Sequence, residues 1–277
     1  MGIIQDNAIR SWSRLRPAPK IILFGPDSET GDIAHRVQVD LVPDVAQNSH
    51  GTPLLSDMFG RADSMAAGDV LAFVSADVIL DQSLIAATRI VASWSEKFLL
   101  VAQRRDVDVR QPLDFGVDRN GSMGEISARS HLHSPGAIDL FVYRRGQYAG
   151  MPPFAIGRTA YDNWLLWNTV ASGIPLVDAT DYVMLLHQNH DYLHRPAVDV
   201  WYGVEALENR SWIKHWTNYY TIVHANWQLT AQGKVVPATA WKYRMARPRQ
   251  VLSHALRPTR RLRTRLKTWR SALRYGS

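Results

Sequence analysis

Blocks of apolar and polar positions alternate along the chain in an order that predicts strands followed by helices. Residues 20–24 (KIILF) form a short β-rich run closed by Gly25 and Pro26, and residues 28–36 can form a first helix. Apolar side chains recur at helical spacing over residues 52–67, up to Gly68. Residues 70–74 read as a second strand, 82–95 as a helix and 98–102 (FLLVA) as a third strand. Residues 138–143 (IDLFVY) predict another strand and 162–171 a Trp-rich helix, with shorter apolar segments at 175–177 and 182–186. This rhythm predicts an α/β protein with a mostly parallel central sheet flanked by helices. Residues 104–135 are polar and weakly patterned, which predicts a long loop crossing the site.

One block concentrates chemistry. In residues 70–80, VLAFVSADVIL, an apolar strand runs into a single carboxylate, Asp77. Ligands gather at the carboxyl ends of buried strands in α/β proteins, so this position suits a metal or a phosphate-bearing ligand. The other reading is a cap for the helix beginning near Gln82. Asp162, at the start of the Trp-rich helix, is likewise either an N-cap or a general base. The last apolar segment delivers His187-Gln188-Asn189-His190-Asp191. Its imidazoles can complete a metal site of mixed nitrogen and oxygen ligands with Asp77, or serve as hydrogen-bonded structural residues. Asp106 and Asp108 form a second acidic pair that competes with Asp77 for the metal. Asp77 is preferred because it directly ends its strand, whereas Asp106 lies in the polar stretch.

Composition narrows the class. The chain has 277 residues, 46% of them hydrophobic, enough for one sizeable core, and no cysteine, which excludes disulfides, a thiolate nucleophile and cysteine metal sites. The first residues lack an apolar signal region, and no run approaches the roughly 18 apolar residues of a membrane span. These features predict a cytoplasmic protein. The net charge of +7 is unevenly placed: of 32 Lys and Arg, twelve lie in residues 241–277 without a single acid, leaving 20 against 25 acids and a balance of −5 in residues 1–240. After Pro258, the spacing of Leu262, Leu266, Trp269 and Leu273 predicts a basic amphipathic helix. Such a tail fits an anionic membrane surface at the inner face of the membrane, or a dock on the body or a partner subunit. Nucleic acid is not expected as a partner, because the body has no matching basic face. The predicted organisation is an arm (1–19), a catalytic domain (20–240) and the basic tail (241–277).

The ordered set FVSADVIL, IDLFVYRRG, PPFAIGRTAYDNWL and DATDYVMLLHQNHDY resembles GT-A glycosyltransferases, the nucleotide-diphospho-sugar transferase superfamily. It is similar in particular to bacterial and plant members carrying N-A-D-I, D-N-W and H-Q-N-H-D-Y. The resemblance covers about residues 20–235. It implies a GT-A (Rossmann-like) fold and transfer of a sugar from a nucleotide-sugar donor to a hydroxyl of a glycan or lipid-linked glycan acceptor, with inversion favoured. Asp77 then corresponds to the last residue of the D-x-D motif that holds Mn²⁺ or Mg²⁺ on the donor diphosphate, with Ser75 at the motif's first acidic position. His187 or His190 matches a late histidine that ligates the metal. Asp162 matches the base that deprotonates the acceptor. Gly25 and Asp27 fall where the family reads the nucleotide base, with Thr52 and Asp57 lining the same pocket. Gln103, Arg104 and Asp139 are further donor-side positions, and Arg104 or Arg158 can stabilise the leaving group.

Three other readings compete. A sugar nucleotidyltransferase would share the architecture, but GPDSETGD after the first strand is acidic where a triphosphate loop would be basic. A metallohydrolase built on His187, His190 and Asp191 lacks a paired motif such as H-E-x-x-H. A non-catalytic nucleotide- or glycan-binding module requires only the fold.

Overall fold

The computed structural model describes residues 2–25, 28–115, 119–190 and 197–244. The elements run α1 (Gly2–Ser13), β1 (Ile22–Phe24), α2 (Ser28–Val37), β2 (Asp40–Val42), α3 (Leu55–Met65), β3 (Val70–Val74), β4 (Val78–Leu80), α4 (Gln82–Trp94), β5 (Leu99–Gln103), β6 (Arg105–Val107), α5 (Arg119–Arg129), β7 (His131–Leu132), β8 (Ile138–Arg144), α6 (Tyr161–Ala171), β9 (Leu176–Asp178), β10 (Leu185–Gln188), α7 (Ala197–Tyr202), α8 (Val204–Ser211), β11 (Trp227–Leu229) and β12 (Val235–Pro237).

The largest sheet has the order β12-β11-β9-β5-β8-β3. Successive residues of its inner strands face opposite layers. Leu99, Val101, Phe141, Tyr143 and Leu176 pack with α3 and α6, while Leu100, Ala102, Leu140, Val142 and Val177 pack with α1, α2 and α4. Burial on both faces is why these strands read as unbroken apolar runs. The protein is therefore α/β with helices on both sides of a sheet. The expectation of a mostly parallel sheet is corrected: β11-β9 and β9-β5 are parallel, but β12-β11, β5-β8 and β8-β3 are antiparallel. β8 enters between β3 and β5 from the opposite end, after the chain has passed through β6, α5 and β7.

That passage also corrects the long loop expected at residues 104–135, which holds β6, α5 and β7. β6 hides in the sequence because its short run, Arg-Asp-Val, presents charged side chains. It belongs to a second sheet of order β4-β10-β6-β7, whose own apolar cluster contains Ile79, Val107, Val109 and Leu186.

The two sheets exchange strands at two points, and these points place the site. The apolar run at 70–80 is two strands, not one: β3 closes at Val74 on the edge of the large sheet, Ser75–Asp77 turn, and β4 begins the small sheet. Asp77 thus sits in a turn rather than on a strand end. The chain makes the same change from β5 to β6 across Arg104. β3 and β5 run parallel to one another, since both are antiparallel to β8 between them, so both changes occur at one end of the large sheet. A bulge completes the corner. Between Val101 and Gln103, two steps of β5 are matched by three on β8, from Phe141 to Ile138, and Asp139 lies in the extra length. Bulges of this kind re-aim side chains near sites.

Residues 2–13, read as part of an arm, form a helix whose Ala8, Ile9 and Trp12 are buried. Trp12 Nε1 donates to the Val78 carbonyl at 2.8 Å. At the other end, Tyr243 is buried and its hydroxyl donates to Asp178 Oδ2 at 2.8 Å, so the first residues beyond position 240 are fastened to the core. The predicted amphipathic helix from Pro258 lies outside the described residues, as do Asp27 and Asp191. Among the described residues no helix is long and apolar enough to cross a membrane.

Candidate metal centre

β10 carries the histidines to the corner. It pairs antiparallel with β4, placing His187 opposite Val78, and parallel with β6, placing His187 opposite Asp106. The Gln188 amide donates to the Asp77 carbonyl at 3.1 Å, and its side-chain nitrogen reaches the Ile4 carbonyl at 2.8 Å. Asn7 of α1 donates to Gln188 Oε1 at 3.0 Å. The N-terminal helix therefore braces the turn that holds Asp77.

Within this frame His187 Nε2 lies 3.3 Å and His190 Nε2 3.1 Å from Asp77 Oδ2. One ligand atom from each of Asp77, His187 and His190 falls within 4.8 Å of the others. Asp77 Oδ1 is buried and accepts no hydrogen bond. Burial would raise the Asp77 carboxyl, but hydrogen bonds and charge from the two histidines outweigh it and hold the group well below the usual carboxylate range. Two imidazoles, one ionised carboxylate and an unused carboxylate oxygen fit a divalent cation. The set suits Mn²⁺ better than Mg²⁺, which prefers oxygen ligands. The alternative role of Asp77 as a cap is excluded, because α4 is capped by Asp81, whose Oδ1 accepts from the Ser83 amide at 3.0 Å.

Asp106 stands behind His187 rather than beside it. Its Oδ1 is 3.3 Å from His187 Nδ1 and 3.0 Å from Arg104 Nε, and Oδ2 bonds His133 Nδ1. Burial would raise this carboxyl, but the His133 hydrogen bond and the charges of Arg104, His133 and His187 lower it. The His187 Nδ1 and Asp106 Oδ1 face each other without hydrogen-bond geometry, so the carboxylate acts on the ring through its charge, which favours a proton on Nδ1 and leaves Nε2 for a metal. Asp108 is not part of this group; it accepts from Asn189 Nδ2 at 3.0 Å.

Arg104 Nη1 donates to Asp139 Oδ2 at 3.0 Å, and Ser75 Oγ contacts Asp139 Oδ1 at 3.4 Å. Next to them α6 begins at Tyr161. Its N-cap is Ala160, with φ of 95°, so Asp162 is the second residue of the helix and not its cap. Burial, reinforced by the charge of Asp139, raises the Asp162 carboxyl to about 6 despite nearby backbone N–H groups. Burial pushes the Tyr161 hydroxyl well above its ordinary value, and the charges of Asp162, Asp139 and Asp77 add to the effect. The charges of all three acids thus act on one phenol.

The remaining sequence-predicted residues sit elsewhere in the contact network. Asp57 Oδ2 accepts from the Ala46 amide at 2.9 Å and Arg61 Nε at 2.8 Å. Arg158 is buried and its Nε donates to Glu205 Oε2 at 2.9 Å, while Glu205 Oε1 accepts from Asn48 Nδ2 at 2.8 Å. Thr52 also hydrogen-bonds Glu205. Gln103 donates to the His133 carbonyl and, through its amide, to Thr180 Oγ1 at 3.0 Å. Gly25 closes β1, its amide donating to the Val42 carbonyl at 3.2 Å. Sequence reasoning missed Tyr161, His133, Gln188 and Asn7. Asn7 and Ser11 share the buried face of α1 with Ala8 and Trp12, which obscures its apolar stripe.

No protein-family model matches the chain, and no curated protein sequence matches it.

Proposed function

We propose that this protein is a glycosyltransferase of the GT-A type, which moves a sugar from a nucleotide-sugar donor to a hydroxyl of a glycan or lipid-linked glycan. The observation that carries the reading is a metal-competent Asp77, His187 and His190 at one end of the large sheet, together with Asp162 at the start of α6, whose charge acts on the same Tyr161 hydroxyl as those of Asp77 and Asp139. Asp77, His187 and His190 would hold Mn²⁺. When bound, the cation would neutralise charge developing on a leaving nucleoside diphosphate. Arg104, anchored between Asp106 and Asp139, adds a fixed positive charge near the same point. Asp162 is mostly ionised at neutral pH, yet basic enough to take a hydroxyl proton as the acceptor attacks. Inversion follows if that attack comes from the face opposite the leaving group. The reading also places the protein in the cytoplasm, with the basic segment at 241–277 turned to an anionic membrane.

Release of nucleoside diphosphate from a panel of nucleotide sugars, with Mn²⁺ and acceptor extracts, tests the reading. Turnover should rise with pH through about 6 as Asp162 loses its proton. Asp162→Asn should lower it about a hundredfold or more while leaving donor affinity intact. Unchanged turnover in that variant would remove Asp162 as base.

A metal-activated hydrolase is the second reading, favoured by the pairing of two histidines with one carboxylate. It predicts Mn²⁺- or Zn²⁺-dependent hydrolysis with no affinity for nucleotides.

A further inference from the structure

Helix α8 has two unlike faces. Inward, Glu205 pairs with Arg158, and Asn209 is buried between strands of hydrogen bonds: its Oδ1 accepts from the Ala155 amide at 2.9 Å, and its Nδ2 donates to the carbonyls of Ala155 and Thr159 at 3.0 and 3.2 Å. From α7, the Val200 carbonyl accepts from the Thr159 amide at 3.4 Å. These bonds fix the loop that ends at Ala160 and delivers Asp162.

Outward, the same two helices and the turn after them expose Trp201, Tyr202, Val204, Leu207, Trp212 and Trp216, each between 40% and 61% accessible. They form one stretch of chain. Arg210 joins the two helices, its guanidinium lying 5.5 Å from the centre of the Tyr202 ring and donating to the Trp201 carbonyl. Most of the large exposed apolar residues of the described chain lie here. A patch of this kind on one side of a protein marks an interaction site.

Its composition selects the partner. Trp and Tyr with an apolar ring and a polar edge, aliphatic Val and Leu between them, and Arg210 and Lys214 at the margin are the side chains that settle at the headgroup level of a bilayer. A protein partner would serve the aromatics equally, but the charge outside the described structure favours lipid. The residues after Arg244 include ten Lys or Arg and no acid. Basic residues are attracted to the negative surface potential of an anionic bilayer. Glu208 is the exposed acid on α8, and His50 Nε2 lies 3.8 Å from it.

We propose that the outer face of α7 and α8 docks on an anionic lipid bilayer, its apolar side chains inserting where the basic C-terminal segment supplies the attraction. Because the inner face of the same helices holds the loop before Asp162, docking turns the acceptor side of the site toward the membrane. The membrane contact stands without the glycosyltransferase reading; the conclusion that the acceptor is lipid-borne rests on it.

The test uses the full chain and two kinds of vesicle, phosphatidylcholine alone and phosphatidylcholine with phosphatidylglycerol. The wild-type protein should sediment with the anionic vesicles. A Trp201→Ser, Val204→Ser, Leu207→Ser variant should bind them about tenfold or more weakly, with unchanged circular dichroism, because it loses the apolar insertion but none of the charge. A chain ending at Arg244 should bind more weakly than wild type and lose its remaining binding when the three serines are added. Wild-type affinity in the triple variant would overturn the proposal and leave the C-terminal charge as the whole of the attraction. So would a lipid-independent dimer, seen by light scattering, that the triple variant abolishes. Nucleotide-sugar turnover measured without lipid reports on the active site separately and should not change in the triple variant.

Discussion

Among the described residues, the buried charges around Glu205 and those around Asp77 differ in whether their hydrogen-bonding capacity is used up. Around Glu205 it is. Arg158 takes one carboxylate oxygen, Asn48 the other, Thr52 adds a further bond, and Arg158 Nη1 is spent on the Gly157 carbonyl at 3.2 Å. Around Asp77 it is not, since Oδ1 is buried with no hydrogen bond while Oδ2 faces two imidazoles. A saturated cluster joins elements of the fold; an unsaturated one with ligand atoms facing each other has room for something else. Charge and burial alone do not separate structure from site.

The largest expected effect breaks the saturated cluster. Arg158→Ala leaves the partly buried Glu205 without its cation and should cost about 3 kcal/mol of stability by urea denaturation, without altering Mn²⁺ affinity. The loss should depend on pH. Glu205 is held near 2 in the folded state against 4.5 unperturbed, so its contribution is full above about 4.5 and disappears as pH falls toward 2. A cost below about 1 kcal/mol at neutral pH would mean that the pair is not the clasp described.

The next effect weakens the open cluster from behind. Asp106→Asn should lower Mn²⁺ affinity about ten- to a hundredfold by removing the charge that favours a proton on His187 Nδ1. An unchanged affinity would show that Asp106 serves only its bonds to Arg104 and His133.

The smallest effect has the opposite sign. Asp162 has a folded value of about 6 against 3.8 unperturbed, so the folded state binds the extra proton between those values and stability falls as pH rises through them. Asp162→Asn removes that penalty. It should stabilise the protein by about 1–2 kcal/mol at pH 7, the gain vanishing below pH 4, as thermal melts at the two pH values would show. A destabilised variant at pH 7 would mean that the carboxylate is structural.

The same contrast explains what could be read from the residues. Apolar strands and periodic helices were legible: β3, α4, β8 and α6 begin and end within a residue or so of the positions their pattern predicts, and β8 reads as an unbroken apolar run because both its faces are buried. The change of sheet inside VLAFVSADVIL was not, since apolar residues continue on both sides of the turn and only Ser75 and Asp77 mark it. β6 was invisible because Arg105 bonds Ser130 and Asp106 bonds His133, which leaves Val107 as its one apolar residue. Asp77, His187 and His190 could be picked out from their chemistry and their neighbourhood to apolar strands. Thr52 and Arg158 could not be placed, because their partner Glu205 lies 153 and 47 positions away and no local pattern announces it. The bulge that presents Asp139 is equally silent, being a mismatch between two strands rather than a feature of either.

Isothermal titration of the full chain with a panel of nucleoside diphosphates, with and without Mn²⁺, shows whether Asp77, His187 and His190 hold a metal that in turn holds a nucleotide. At least one nucleoside diphosphate should bind only when Mn²⁺ is present, and Asp77→Asn should lose both the metal and the nucleotide. Mn²⁺ binding without any nucleotide binding, or nucleotide binding indifferent to Mn²⁺ and to Asp77, would contradict the proposed function.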